Sequence, residues 1–224
     1  MSIHLQRDID TLKKKLLNLS ALVEEAVFDA LRALQHKDDE LARKLIGNDD
    51  AIDELEVEVE EDCLKILALH QPVANDLRYV VAVMKINNDL ERIGDLAVNI
   101  AQRALELKEH SVVPFNFDFN EMGGKVLDML RRSLDALINL NPQHAREICA
   151  EDDKIDDMHR RVFSVVNEMI ISSPQHAPVY IQYLSVSRYL ERIADSATNI
   201  AEDVVYLAWG RIARHRPERL LNEK

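Results

Sequence analysis

The chain predicts an all-α fold of two tandem, pseudo-repeated three-helix bundles. Three observations carry this. Apolar residues recur at helical spacing through almost the whole chain, as Leu16, Leu19, Val23, Val27, Leu31 and Leu34 do near its start. Glycine (5), proline (6) and aromatic residues (5%) are too few for the many turns of a sandwich or barrel. And Leu90-Glu91-Arg92-Ile93-Gly94-Asp95-Leu96-Ala97-Val98-Asn99-Ile100-Ala101 returns as Leu190-Glu191-Arg192-Ile193-Ala194-Asp195-Ser196-Ala197-Thr198-Asn199-Ile200-Ala201, altered only at Gly94/Ala194, Leu96/Ser196 and Val98/Thr198. The repeat divides the chain into bundles over 1–112 and 113–224.

The first apolar stripe predicts a helix over about 4–36. Asp38 or Asp39 then caps a short helix that stops at Gly47. Asn48 or Asp49 opens the next, with Ile52, Leu55, Val59, Ile66 and Leu69 as its buried face, running to about His70. Proline has no N–H for a helix interior, so Pro72 marks a turn, and a long helix follows over about 74–109. Pro114 and the alternating Phe115, Phe117 and Phe119 form the crossing between halves. An isolated short strand has no partner, so the crossing is expected to be an apolar linker anchored on the bundles. The second half repeats the plan: a helix over about 119–140, a short one opened by Pro142, and another over 152–172. A turn bracketed by Pro174 and Pro178 leads to a last helix from about 179 to Gly210.

The 224 residues are 47% apolar and 30% charged, a globular balance, with a formal net charge of −12 that excludes a nucleic-acid-binding surface. No apolar run approaches the ~20 residues of a membrane span. The opening MSIHLQRDID lacks the basic-then-apolar pattern of a secretory signal. Cys63 and Cys149 stand alone in helical patterns, as small core residues of a reducing compartment. The expected location is cytoplasmic. The tail residues Arg211, Arg214, His215, Arg216 and Arg219 form a cationic cluster on this acidic chain. They suit a solvated helix end, or contact with anionic lipid or an acidic partner.

Glu91 and Asp95 lie one helical turn apart, so both carboxylates point the same way. Like charges at that spacing repel by roughly 0.2–0.5 kcal/mol. A second pair precedes each motif: Asp49 and Asp53 in the first half, Asp152 and Asp156 in the second. Counted from the turns at Pro72 and Pro174, both pairs of each half sit ~30 Å along antiparallel helices, and so at one level. Four oxygen-bearing groups on one patch are a cation site. The expected metal ligands are Asp49, Asp53, Glu91 and Asp95, and Asp152, Asp156, Glu191 and Asp195, with Asn99 and Asn199 as candidate outer ligands. The ion would be divalent or trivalent: iron, Mn, Mg or Zn. His159, aligned with Glu56, offers a nitrogen ligand to the second half. The plain alternative is surface ion pairing of Arg92 with Asp95 and Arg192 with Asp195, worth under ~1 kcal/mol each. Gly94 costs its helix ~1 kcal/mol against alanine, which calls for close helix packing there or clearance for an ion. No catalytic set emerges. A di-iron carboxylate enzyme requires Glu-x-x-His, and Gly94 and Ala194 stand where the histidines belong.

These residues resemble the PhoU family of bacterial phosphate-uptake regulators. The likeness runs through Asp49-x-x-x-Asp53, the Gln71-Pro72 turn with Asp76-Leu77-Arg78, and the doubled Glu-Arg-Ile-x-Asp at Glu91–Asp95 and Glu191–Asp195. It continues through Asn199-Ile200-Ala201-Glu202-Asp203, Tyr206, Gly210 and Arg214-His215. The resemblance implies tandem three-helix bundles, a homodimer, and metal ions held by the acidic motifs. It also implies a cytoplasmic, non-enzymatic adaptor working close to the membrane with the phosphate ABC transporter's ATPase subunit and a sensor histidine kinase. Such an adaptor is a negative regulator of phosphate uptake and of the phosphate-starvation response. The competing readings are a metal-dependent enzyme built on the carboxylate clusters and a purely structural helical module.

Overall fold

A computed structural model describes residues 3–48, 50–109, 115 and 117–210. They form helices α1 (Ile3–His36), α2 (Asp39–Gly47), α3 (Asp50–His70) and α4 (Ala74–Glu109), then α5 (Phe119–Asn139), α6 (Pro142–Cys149), α7 (Asp152–Ser172) and α8 (Ala177–Trp209). A 3₁₀ turn at Pro174–His176 precedes α8. Asp49, Pro114 and the basic tail residues lie outside the described residues.

The helix ends follow from local chemistry. Asp38 accepts a hydrogen bond from the Leu41 N–H at 3.0 Å, and Asp118 accepts from Asn120 and Glu121 at 2.9 and 3.1 Å. Asn141 caps α6 ahead of Pro142, whose missing N–H has no intrahelical acceptor in a first turn anyway. Gly210 closes α8 in the left-handed region, at φ 69°. One boundary differs from expectation. α8 begins at Ala177, so Pro178 lies inside its first turn rather than ahead of it, where a proline costs the helix nothing.

α1, α3 and α4 pack on one another as the first three-helix bundle, and α7 and α5 pack on α8 as the second. The short α2 lies on α1 and α4, and α6 on α5 and α8. The bundles are not separate bodies. α4 packs along α8 and α1 against α5, so four central helices enclose one core in which Leu19, Leu90, Leu130 and Leu190 are all buried. Polar ties cross the α4–α8 seam: Lys85 Nζ to Asp203 Oδ1 at 3.5 Å, Asn199 Nδ2 donating to Asp89 Oδ1 at 3.3 Å, and Arg103 Nη1 donating to Gln182 Oε1 at 2.8 Å. The partners run in opposite order, so the two helices are antiparallel. The linker is anchored as expected: Phe115 stacks on Tyr183 at 4.4 Å and on Phe119 at 5.8 Å, and Phe119 stacks on Tyr183 at 5.6 Å.

Packing accounts for Gly94. A Cβ there would lie 3.1 Å from Ile52 Cδ1 and 3.2 Å from Ile52 Cγ2, so the missing side chain lets α3 close on α4. Gly94→Ala gains ~1 kcal/mol of helix propensity but presses on Ile52, while Ile52→Val alone costs ~0.5–1.5 kcal/mol. In a double-mutant cycle read by urea unfolding, the pair is expected to be more stable than the sum of the singles by ~0.5 kcal/mol or more. Strict additivity would show that Ile52 is not what keeps position 94 small.

Candidate functional site

The acidic residues have a local reason before any functional one. Asp50 and Asp53 occupy the first turn of α3, and Asp152 and Asp153 the first turn of α7. There the unpaired N–H groups and the helix dipole favour negative charge. The antiparallel hairpins then bring these turns beside the Glu-Arg-Ile-x-Asp motifs. Glu91 lies close enough to Asp95, Glu56 and Asp53 for their charges to raise its pKa, after burial, the larger cause. In the second half Asp152 is pushed up to about 6, by burial first and then by Asp195, Asp156 and Asp153. Burial and Asp156 also raise Asp195, while for Glu191 burial and Asp195 work against the nearby Arg188.

The carboxylates of each half therefore meet, but they do not form a metal cage. Among the described residues no group of three or more His, Cys, Asp or Glu is placed to hold a metal ion. The expected iron, Mn, Mg or Zn cofactor is corrected accordingly, and the reason is geometric. Helix register sets the height of Asp53, Glu91 and Asp95, but Asp53 and Asp95 are exposed while Glu91 is half-buried. Asp195 is likewise exposed, while Asp152, Asp156 and Glu191 are half-buried. Asp49 lies outside the described residues.

Protein cations and protons take part of the role assigned to a metal. Arg188 Nη1 holds Glu191 Oε1 at 2.8 Å, and Arg160 lies 3.9 Å from Asp156. Neither Arg92–Asp95 nor Arg192–Asp195 closes into an ion pair among the described residues, although the charge of Arg192 still favours the ionised Asp195 carboxylate. The His159 Nδ1 lies 2.9 Å from the Ser187 hydroxyl, and His159 belongs to no group placed to hold a metal ion among the described residues. Asn199 turns across the seam to Asp89, and Asn99 is half-buried on α4. Two participants escaped the sequence reading. Glu56 belongs to the first cluster, its carboxyl raised by burial, Glu60 and Asp53, and the buried Asn87 amide donates to its Oε1 at 3.0 Å. Its signal was its place three residues beyond Asp53. The signal for Arg188 was its place three before Glu191. Burial pushes the Cys63 and Cys149 thiols up to about 12, so neither is a thiolate at neutral pH.

No helix among the described residues is long and apolar enough to cross a membrane. The family model described as the PhoU domain matches this chain twice, over residues 16–104 and 119–204. The chain belongs to the PhoU family. It is 35% identical over 210 residues to a Clostridium acetobutylicum phosphate-specific transport system accessory protein PhoU homolog, covering 92% of this chain and 94% of the relative. It is 34% identical to PhoU homolog 1 of Thermotoga maritima, covering 93% and 90%. The crystal structure of PhoU from Pseudomonas aeruginosa has the same fold, with a TM-score of 0.89 at 32% identity over 92% of this chain and 99% of that one. The phosphate transport system regulatory protein PhoU from Streptococcus pneumoniae follows, at 0.82 and 34% over 93% and 98%. Membership places this chain among the bacterial PhoU-type regulatory accessory proteins of phosphate transport, which are not enzymes.

The raised Asp152 carboxyl has a consequence for stability. Folding moves it from an ordinary 3.8 to about 6. Between those values the folded state binds more protons than the unfolded one, so stability falls as pH rises through that window. The half-buried site is screened by solvent, which limits the loss to on the order of 1 kcal/mol. Asp152→Asn is expected to flatten this part of the pH–stability profile and to be more stable than the parent at neutral pH. A parallel profile would show that Asp152 keeps its ordinary acidity.

Proposed function

We propose that this protein is a cytoplasmic, homodimeric adaptor that restrains phosphate uptake and keeps the phosphate-starvation response off when phosphate is plentiful. It acts on the phosphate ABC transporter through the ATPase subunit, beside the membrane, and on a sensor histidine kinase, through which it represses transcription of the starvation genes. The observation that carries this is the end-to-end match, over nine-tenths of both chains, to proteins named for the phosphate-specific transport system. The architecture supports it as well. Two pseudo-equivalent bundles fused through one core present related but unequal faces on a single body, which suits a protein that answers to two partners. We take 1–112 and 113–224 as the two partner-facing units.

The acidic residues then act as recognition surfaces. Asp49, Asp53, Glu91 and Asp95 on one unit, and Asp152, Asp156, Glu191 and Asp195 on the other, meet basic side chains of a partner. A chain with a net charge of −12 is steered toward such partners by long-range attraction. Deleting the gene is expected to raise alkaline phosphatase in cells given ample phosphate, several-fold and toward the level of starved cells. Phosphatase that stays low in the deletion strain under ample phosphate would overturn this assignment.

A further inference from the structure

The start of α1, the α3–α4 turn and the end of α8 meet at one end of the molecule. His70 Nε2 lies 2.9 Å from Asp8 Oδ2, and Lys13 Nζ sits over the Tyr79 ring, 5.3 Å from its centroid. Gly210, which closes α8, lies against the Arg78 side chain. Lys15 bridges to Asp62 at 2.7 Å and to Glu58 at 3.0 Å, and this bridge marks the inner limit of the end. Beyond it lie residues 3–14 of α1 and 63–79 of the α3–α4 hairpin. The chain's last stretch, 211–224, is outside the described residues and continues from Gly210.

This end departs from the rest of the chain in two ways. Large aliphatic side chains stand in solvent: Ile3 is 82% exposed, Val73 74% and Leu69 67%, and Leu64 and Leu77 are exposed as well. Leu69, Val73 and Leu77 follow one another round the α3–α4 turn. The charge balance is also reversed. Residues 3–14, 63–79 and 211–224 hold ten of the chain's 28 Lys and Arg but only five of its 40 Asp and Glu. A molecule of net charge −12 therefore has one end that is both apolar and basic. The tip of the α7–α8 hairpin exposes Ile171 too. Because α4 and α8 are antiparallel, that tip faces the opposite way, and the basic tail does not leave from it.

We propose that the α3–α4 end rests directly on a bilayer surface that contains anionic lipid. The aliphatic side chains of the turn enter among the headgroups, and the basic residues meet the lipid phosphates. Apolar insertion and attraction to anionic lipid add to one another at such a surface. Exposed aliphatics alone would suit any apolar partner. Arginines of one sign gathered around them suit a plane of many phosphates, each charge gaining within a Debye length of it. The acidic remainder of the molecule is repelled by the same plane, which holds the protein end-on. The inference deepens the adaptor reading, which places the protein beside the membrane through its partners, by giving the chain a lipid contact of its own.

The test is co-sedimentation of the full chain with vesicles of phosphatidylcholine alone, and with vesicles of equimolar phosphatidylcholine and phosphatidylglycerol. The anionic vesicles are expected to bind about tenfold more tightly or better, and to release the protein as salt rises. Changing Arg211, Arg214, Arg216 and Arg219 together to glutamine is expected to weaken that binding about tenfold or more. Leu69→Ser with Val73→Ser, at exposed positions, is expected to weaken it about tenfold. Val73→Ser alone, expected to weaken it several-fold, decides the matter should the pair not fold. Ile171→Ser, at the opposite end, is expected to bind like the parent. Sedimentation with neither vesicle overturns the proposal and leaves this end for a protein partner. So does equal binding to both vesicles, unchanged binding of the turn variants, or a loss in Ile171→Ser as large as theirs. Movement of the Leu69 and Val73 methyl NMR signals, without vesicles, when the four arginines are changed also overturns it, because the tail would then cover the turn. Vesicle binding is read without any cellular phenotype. A deletion strain that stays repressed therefore sinks the regulatory reading and leaves the lipid contact to be judged by the vesicles.

Discussion

The packing of α4 against α8 is the contact on which the rest of the structure depends. Each is the longest helix of its bundle's hairpin, and each carries one copy of the repeated motif on a stretch that is buried on one side and half-exposed on the other. Leu90, Ile93, Ala97 and Ile100, with Leu190, Ile193, Ala197 and Ile200, are all buried in the shared core. At roughly 1.5–3 kcal/mol for fully burying a large aliphatic side chain, this seam and the α1–α5 contact beside it outweigh any surface charge pair in the molecule. The halves are therefore expected to unfold together. The polar ties at the seam add direction rather than bulk energy. Asp203 is 2% exposed and Asp89 5% exposed, and charges so deeply placed require partners. Lys85 and Asn199 supply them only when α4 and α8 lie in the observed antiparallel register.

That seam also explains the crowding of carboxylates. Once Glu91 and Glu191 are carried inward beside the core, their desolvation and the charges of α3 and α7 work against ionisation. The fold answers differently in its two halves. In the second, Arg188 and Arg160 reach the cluster and Asp152 holds its proton toward neutrality. In the first, Asp53 and Asp95 stand in solvent, where water screens them. Neither solution calls for a metal ion. Both leave a surface on which a protein cation gains more than it would on a neutral bundle.

The helices were legible in the chain because apolar periodicity and capping residues act locally. Asp38, Asp118 and Asn141 sit at caps that their side chains can satisfy wherever the rest of the chain goes. The anchored Phe115–Phe119 linker was legible for a similar reason, since three aromatics in five residues have to be covered. Legibility stopped where direction mattered more than position. Residue counts placed Asp53 and Asp95 at one level but could not say that both turn outward. Lys85 and Asp203 are far apart in sequence, and nothing local distinguishes this aspartate from a solvated one. Gly94 could be read as clearance for an ion or for a helix. Only the position of Ile52 across the interface decides for the helix.

The pseudo-repeat is most informative where its halves disagree. Within the motif the three changes, Gly94/Ala194, Leu96/Ser196 and Val98/Thr198, fall at positions buried in α4, whereas the exposed Arg92/Arg192 and Asp95/Asp195 are unchanged, so core packing alone does not hold the motif constant. The surface outside the motif differs in charge as well: with Ile52 laid on Ile155, the second half has Arg132 and Lys154 where the first has Asp29 and Ala51. Arg132 is held by Glu151, Asp128 and Glu147, and the residues at the corresponding places in the first half are Asn48, Glu25 and Lys44. Divergence of this kind keeps two copies of one bundle from presenting identical faces, which would compete for the same partner. The difference between Asp29 and Arg132 thus makes the two bundle faces unlike where the motif helices between them are nearly the same.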